Sequence, residues 1–194
     1  MASQERSAVF SLIAVADNSS ANLLAQAIWI VVFAGLTAIG AQVRIPHQPV
    51  PYTLQTFFVL LAGAFLGSRN GSFSQLLYLG VGLLGAPVFA GGGGPSLGPS
   101  GGYLLSFPIA AASIGYLLHK RRGFGWGLLS MFVGLLIIFA CGATYLDLFY
   151  LHDASQAFVS GFFIFSWWDL LKLSAAAGIY NEFSRRYRKL PQDK

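Results

Sequence analysis

The sequence predicts an all-α integral membrane protein, with six transmembrane helices in a compact bundle and both termini cytoplasmic. Three observations carry that expectation. Of 194 residues, 55% are hydrophobic and only 10% charged, and the mean hydropathy is +0.63, which is more apolar surface than a soluble domain of this length hides in one core. The apolar residues fall into six runs. The basic residues cluster at the ends of those runs.

The runs lie at about 24–43, 53–67, 71–87, 102–118, 124–149 and 158–180, against the roughly 20 residues a helix needs to cross a bilayer core. The first follows the polar stretch Asp17-Asn18-Ser19-Ser20, so it reads as a span serving as its own insertion signal, not as a cleaved leader. The second opens with Pro51 and Thr53, which fit a helix start. With the third it forms a tight helical hairpin joined by Ser68-Arg69-Asn70. The fourth follows a glycine-rich segment, the fifth follows Lys120-Arg121-Arg122, and the sixth carries Asp169 and Lys172. Residues 1–23 read as a polar cytoplasmic segment, 24–182 as a single membrane domain and 183–194 as a basic cytoplasmic tail.

Cytoplasmic termini place Arg6, Arg69, Lys120, Arg121, Arg122, Arg185, Arg186, Arg188, Lys189 and Lys194 inside, Arg44 outside and Lys172 within a span, the asymmetry expected of an inserted chain. The net charge of +5 is therefore a topology signal and implies no nucleic-acid partner. Cys141, the single cysteine, leaves no internal disulfide or zinc site and reads as a small buried side chain.

Asp169 and Lys172 share one helix face, because three residues return close to the same azimuth. Each charge at mid-membrane costs on the order of 2.5–3.5 kcal/mol, so the two cost about 5–7 kcal/mol if unpaired. The pair must face protein or water. Either it contacts a polar ligand, or it is a buried ion pair that fixes helix packing.

Gly91-Gly92-Gly93-Gly94-Pro95-Ser96-Leu97-Gly98-Pro99-Ser100-Gly101-Gly102-Tyr103 matches a phosphate-binding loop only in its glycine count, since it lacks the Lys-Ser/Thr ending and a preceding strand. In a membrane protein such backbone is tolerated where it lines a cavity, and glycines, Gly92, Gly93 and Gly101 among them, let amides approach a ligand. The plainer alternative is an external linker. Phe89 and Tyr103 offer flat walls on either side, or interface packing. Gln55 and Thr56 project polar groups near the start of the second helix, toward a ligand or neighbouring backbone. Ala34 and Ala38 form a small-residue stripe in the first span, for another helix of the bundle or for a partner.

Taken in order, Ala34-Gly35-Leu36-Thr37-Ala38-Ile39-Gly40-Ala41-Gln42, Pro51-Tyr52-Thr53-Leu54-Gln55-Thr56, Leu61-Ala62-Gly63-Ala64-Phe65-Leu66-Gly67, Gly85-Ala86-Pro87-Val88-Phe89, Gly98-Pro99-Ser100-Gly101-Gly102-Tyr103 and Asp169-Leu170-Leu171-Lys172 resemble the BioY family. Its members are the biotin-specific substrate-binding (S) subunits of energy-coupling-factor (ECF) vitamin transporters. The resemblance implies a six-helix bundle in the cell membrane that captures biotin near its external face. It also implies work with a coupling membrane subunit and two cytoplasmic ATP-binding subunits. The family's Asp-x-x-Lys falls on Asp169 and Lys172, its ligand-covering loop on 91–103, and its coupling motif on Ala34 and Ala38. No cofactor and no catalytic group is implied.

Two other readings compete. A stand-alone ion-coupled secondary transporter would use Asp169 as proton carrier, but no inverted repeat is visible, and the only other acids near the spans are Asp147 and Glu182. A membrane enzyme would need a metal-ligand cluster or a nucleophile–base pair, and the sequence offers neither.

Overall fold

The computed structural model describes residues 23–91, 97–121, 123–161 and 167–187. Within them six α-helices make an all-α membrane protein. The first, α1 (Leu23–Gln42), is apolar on every face, the mark of a helix surrounded by apolar matter. It turns Phe33, Ala34, Thr37 and Ala41 inward and leaves Ile28, Val31 and Ile39 outside. Two short strands follow, β1 (Arg44–Ile45) and β2 (Tyr52–Thr53), paired antiparallel with Arg44 opposite Thr53 and Ile45 opposite Tyr52. Pro46, Pro49 and Pro51 lack the amides that would lengthen the ladder. The Leu54 amide donates to the carbonyls of Gly40 and Val43 at 3.1 Å each, which seats the hairpin on the end of α1.

The second helix, α2 (Gln55–Leu83), reverses at Gly67, whose φ of 77° and ψ of −176° lie in a region open essentially to glycine alone. Its arms, 55–66 and 68–83, run back along one another. Gln55 Nε2 donates to the Tyr78 hydroxyl at 2.6 Å, and Gly71 packs on the Ala62 carbonyl. The expected hairpin is present, but its turn is one glycine, with Ser68, Arg69 and Asn70 already helical. At 1.5 Å per residue the arms reach roughly 18 and 24 Å. The second arm stops at Leu83, short of 87, because Gly85 takes φ 101° and Pro87 has no amide to continue the ladder.

A 3₁₀ turn (Gly98–Ser100) leads into α3 (Gly101–Lys120). This helix crosses α2 at backbone distance: a Cβ at Gly115 would stand 2.2 Å from the Ser68 nitrogen, and one at Gly63 would stand 2.6 Å from the Ala111 oxygen. Next comes α4 (Phe124–Leu146), which runs on through a π-helical turn (Asp147–Leu151) and ends at His152 in left-handed conformation. Asp153 then caps α5 (Ala154–Gly161), its Oδ1 accepting from the amides of Ser155 at 2.9 Å and Gln156 at 3.1 Å.

The last helix is α6 (Trp167–Tyr187). The final apolar run, expected as one span over 158–180, thus contributes to two helices, with 162–166 outside the described residues. Among the described residues three helical stretches are long and apolar enough to cross a membrane alone: Leu23–Gln42, Gly98–Lys120 and Phe124–Leu151.

Val59, Leu60, Ala110, Ile114, Leu135 and Ala176 are sealed at the centre, where α2, α3, α4 and α6 meet. Leu24, Ile109, Leu148 and Leu171 cover the outside, where water would penalise them and lipid does not. Cys141, expected to be buried, is exposed on α4. A bilayer makes the outward face as apolar as the core, so local hydropathy cannot tell the two apart.

Candidate ligand-binding site

Two residues after its start, α6 carries Asp169, and one turn later Lys172. They are 2% and 6% exposed, and Lys172 Nζ lies 2.6 Å from Asp169 Oδ1. The ammonium also donates to the Thr56 hydroxyl at 2.6 Å and to the Thr53 carbonyl at 3.0 Å. A longer contact of 3.5 Å runs from Thr56 Oγ1 to Asp169 Oδ1. Three acceptors meet the three hydrogens of an ammonium, which is how a bundle holds two charges away from water.

A second polar chain starts at the mouth of α2. Thr53 Oγ1 donates to Gln55 Oε1 at 2.8 Å, Gln55 Nε2 donates to the Tyr78 hydroxyl, and Tyr78 donates to the Val88 carbonyl at 3.2 Å. Gln55 is thereby fixed by both arms of α2 and by the segment that leads to the glycine-rich loop. Phe89 closes this corner, edge-on to Tyr78 with centroids 5.6 Å apart and seated on Gly82, where any side chain would strike its ring.

The pair opens on a hollow. An inner cavity of about 60 Å³ is lined by Thr53, Gln55, Thr56, Tyr103, Phe107, Phe139, Asp169 and Lys172, with Ser100 and Ser160 at its edge. An outer vestibule of about 690 Å³ is lined by Arg44, His47, Gln55, Phe89, Leu97 and Ser100. Pro51, Gln55, Ala90, Ser100 and Leu104 border both, so the two are adjoining chambers.

The structure brings Asp169, Lys172, Gln55 and Tyr103 together on the inner cavity and puts Phe89 on the vestibule. The Tyr103 ring forms a wall, edge-on to Phe139 at 6.0 Å, while its hydroxyl is committed to the Gly161 carbonyl at 2.7 Å. Gly101 lines neither chamber among the described residues. It lies under the Tyr145 ring, where it lets α3 approach α4. Its neighbour Ser100 faces both chambers instead. Gly92 and Gly93 lie outside the described residues.

Ala34 is buried against the bundle, and Ala38 is half-buried at its edge. Between them Gly35 faces outward with open space around it. The contributions of Phe107, Phe139 and Ser160 carry no local signal in the sequence. Arg44 did carry one, as the single basic residue placed on the outer side.

A hydrogen-bonded ion pair bordering aromatic-walled chambers inside a helical membrane bundle has the chemistry to hold a small organic solute with a polar head. Comparison with known proteins makes this specific. The model of the BioY family matches residues 11–189. The chain is similar to the biotin transporter BioY of Thermotoga maritima, 44% identical over 149 residues covering 75% of this chain and 88% of that one. It is likewise similar to a probable biotin transporter BioY of Pyrococcus horikoshii, 41% identical over 150 residues covering 76% and 88%. Among solved structures it resembles the 2.1 Å crystal structure of the S-component for biotin from an ECF-type ABC transporter, with TM-score 0.74 and 26% identity over 86% of this chain and 92% of that one. The chain belongs to the BioY family.

Proposed function

We propose that this chain is the biotin-binding and translocating S component of an ECF-type vitamin uptake system in the cell membrane. In this reading both termini are cytoplasmic and the vestibule opens to the outside. Energy comes from ATP hydrolysis by two ATP-binding subunits, through a coupling membrane subunit. The chain itself is a transport subunit and not an enzyme.

One observation carries the reading: the Asp169–Lys172 pair borders a cavity instead of lipid. The ureido ring of biotin presents two N–H donors and one carbonyl acceptor. Asp169 accepts from an N–H, and Lys172 donates to the carbonyl in place of one of its present acceptors. Tyr103, Phe107 and Phe139 supply apolar walls for the bicyclic body, and the valerate tail extends into the vestibule past Phe89. The organisation we propose keeps a polar segment over 1–23, a membrane domain over 24–182 and a basic tail over 183–194, with α1 starting at Leu23 and α6 continuing into the tail as far as Tyr187.

The test is calorimetric titration of the purified chain with biotin, thiamine and riboflavin. Binding of biotin alone supports the proposal. Equal heats with all three, or none with biotin, contradict it.

A further inference from the structure

The vestibule holds a cation that the ureido ring leaves unused. Arg44 stands directly opposite Thr53 in the β1–β2 ladder, where facing Cα atoms are roughly 4.5–5.5 Å apart. The Thr53 carbonyl is itself a partner of Lys172. One strand pairing therefore separates the buried ammonium from an exposed guanidinium that lines the larger chamber. Among the described residues Arg44 has no carboxylate partner within ion-pair distance.

Gly91, at the start of the glycine-rich segment, has φ 104°, a conformation side chains rarely adopt, and a Cβ there would stand 3.0 Å from Arg44 Nη1, which places the mobile end of the guanidinium side chain against the start of that segment. The described lining of the two chambers contains Arg44 and Lys172 as its lysine and arginine residues, and Asp169 as its one acid. The inner end is balanced, and the outer end is positive.

We infer that Arg44 is the specificity-determining residue for the anionic tail of the ligand: its guanidinium binds the terminal carboxylate while the Asp169–Lys172 pair holds the polar head. A guanidinium fork matches a carboxylate in bidentate geometry, and a vestibule open to water suits a tail that stays charged. This inference rests on the biotin reading above.

The test compares biotin with biotin methyl ester, which keeps the head and neutralises the tail, on the wild-type chain and on Arg44→Gln and Arg44→Lys. The wild type should bind the acid about fivefold more tightly than the ester, the scale of a solvent-exposed charge pair, and the preference should shrink at high salt. Arg44→Gln should lose the preference while still binding the ester as the wild type does, and Arg44→Lys should keep part of it. A preference that survives in Arg44→Gln, or equal losses for acid and ester, overturns the role of Arg44 and leaves the biotin reading intact. A wild type that binds neither compound overturns both.

Discussion

Lys172 on α6 donates to the main-chain carbonyl of Thr53 at 3.0 Å, which fastens the last helix to the strand preceding α2. With Asp169 and Thr56 the ammonium has an acceptor for each hydrogen. A ligand carbonyl must displace one of them, so measured affinity is a difference between two well-bonded states.

That exchange predicts the behaviour of Thr56→Val. The substitution keeps the shape and removes an acceptor of a buried ammonium, which costs about 1–3 kcal/mol in the empty protein. In the proposed binding mode biotin fills the vacated position. The rise in melting temperature on adding biotin should therefore be larger in the variant than in the wild type. An equal or smaller rise would mean that the ligand never takes the place of the Thr56 hydroxyl.

Gly67 and Gly115 separate conformational strain from steric conflict. A Cβ at Gly67 meets nothing within 4 Å, so Gly67→Ala loses about 1–3 kcal/mol through the backbone conformation alone. Gly115→Ala meets the Ser68 nitrogen and should be the more damaging change, because the obstacle is backbone. Denaturation midpoints in detergent decide the order. Unchanged midpoints in both would argue against the one-residue reversal of α2.

On α1, the substitutions that report on a partner are those that spare the bundle. Ala34→Trp should impair folding, since Ala34 belongs to the core. Gly35→Trp and Ala38→Trp should leave biotin binding intact and block uptake if a coupling helix docks on that face. Uptake assays paired with binding assays read this directly. Normal uptake in both variants would assign the face to lipid.

Much of this was legible in the chain. Apolar runs marked the helices, and the three-residue spacing of Asp169 and Lys172 put both charges on one face because helical periodicity is local information. Gln55 and Thr56 were visible for a similar reason, as polar groups at the start of a helix. Other features depend on distant partners. Gly101 sits beneath Tyr145 rather than on the cavity because of how α3 crosses α4, and no pattern within the glycine-rich segment distinguishes it from Ser100. Ala34 and Ala38 share a stripe, yet the bundle buries one more than the other. That the last apolar run contributes to both α5 and α6 was not marked by its apolar pattern.

The most direct measurement is biotin titration of Asp169→Asn and Lys172→Met beside the wild type. Hydrogen bonds to charged groups contribute about 1.5–3 kcal/mol, so each variant should bind biotin roughly 10- to 100-fold more weakly. Lys172→Met should also melt at a lower temperature, because it strands a buried carboxylate. Wild-type affinity in both variants would contradict the account, leaving the charge pair a packing device with the ligand site elsewhere.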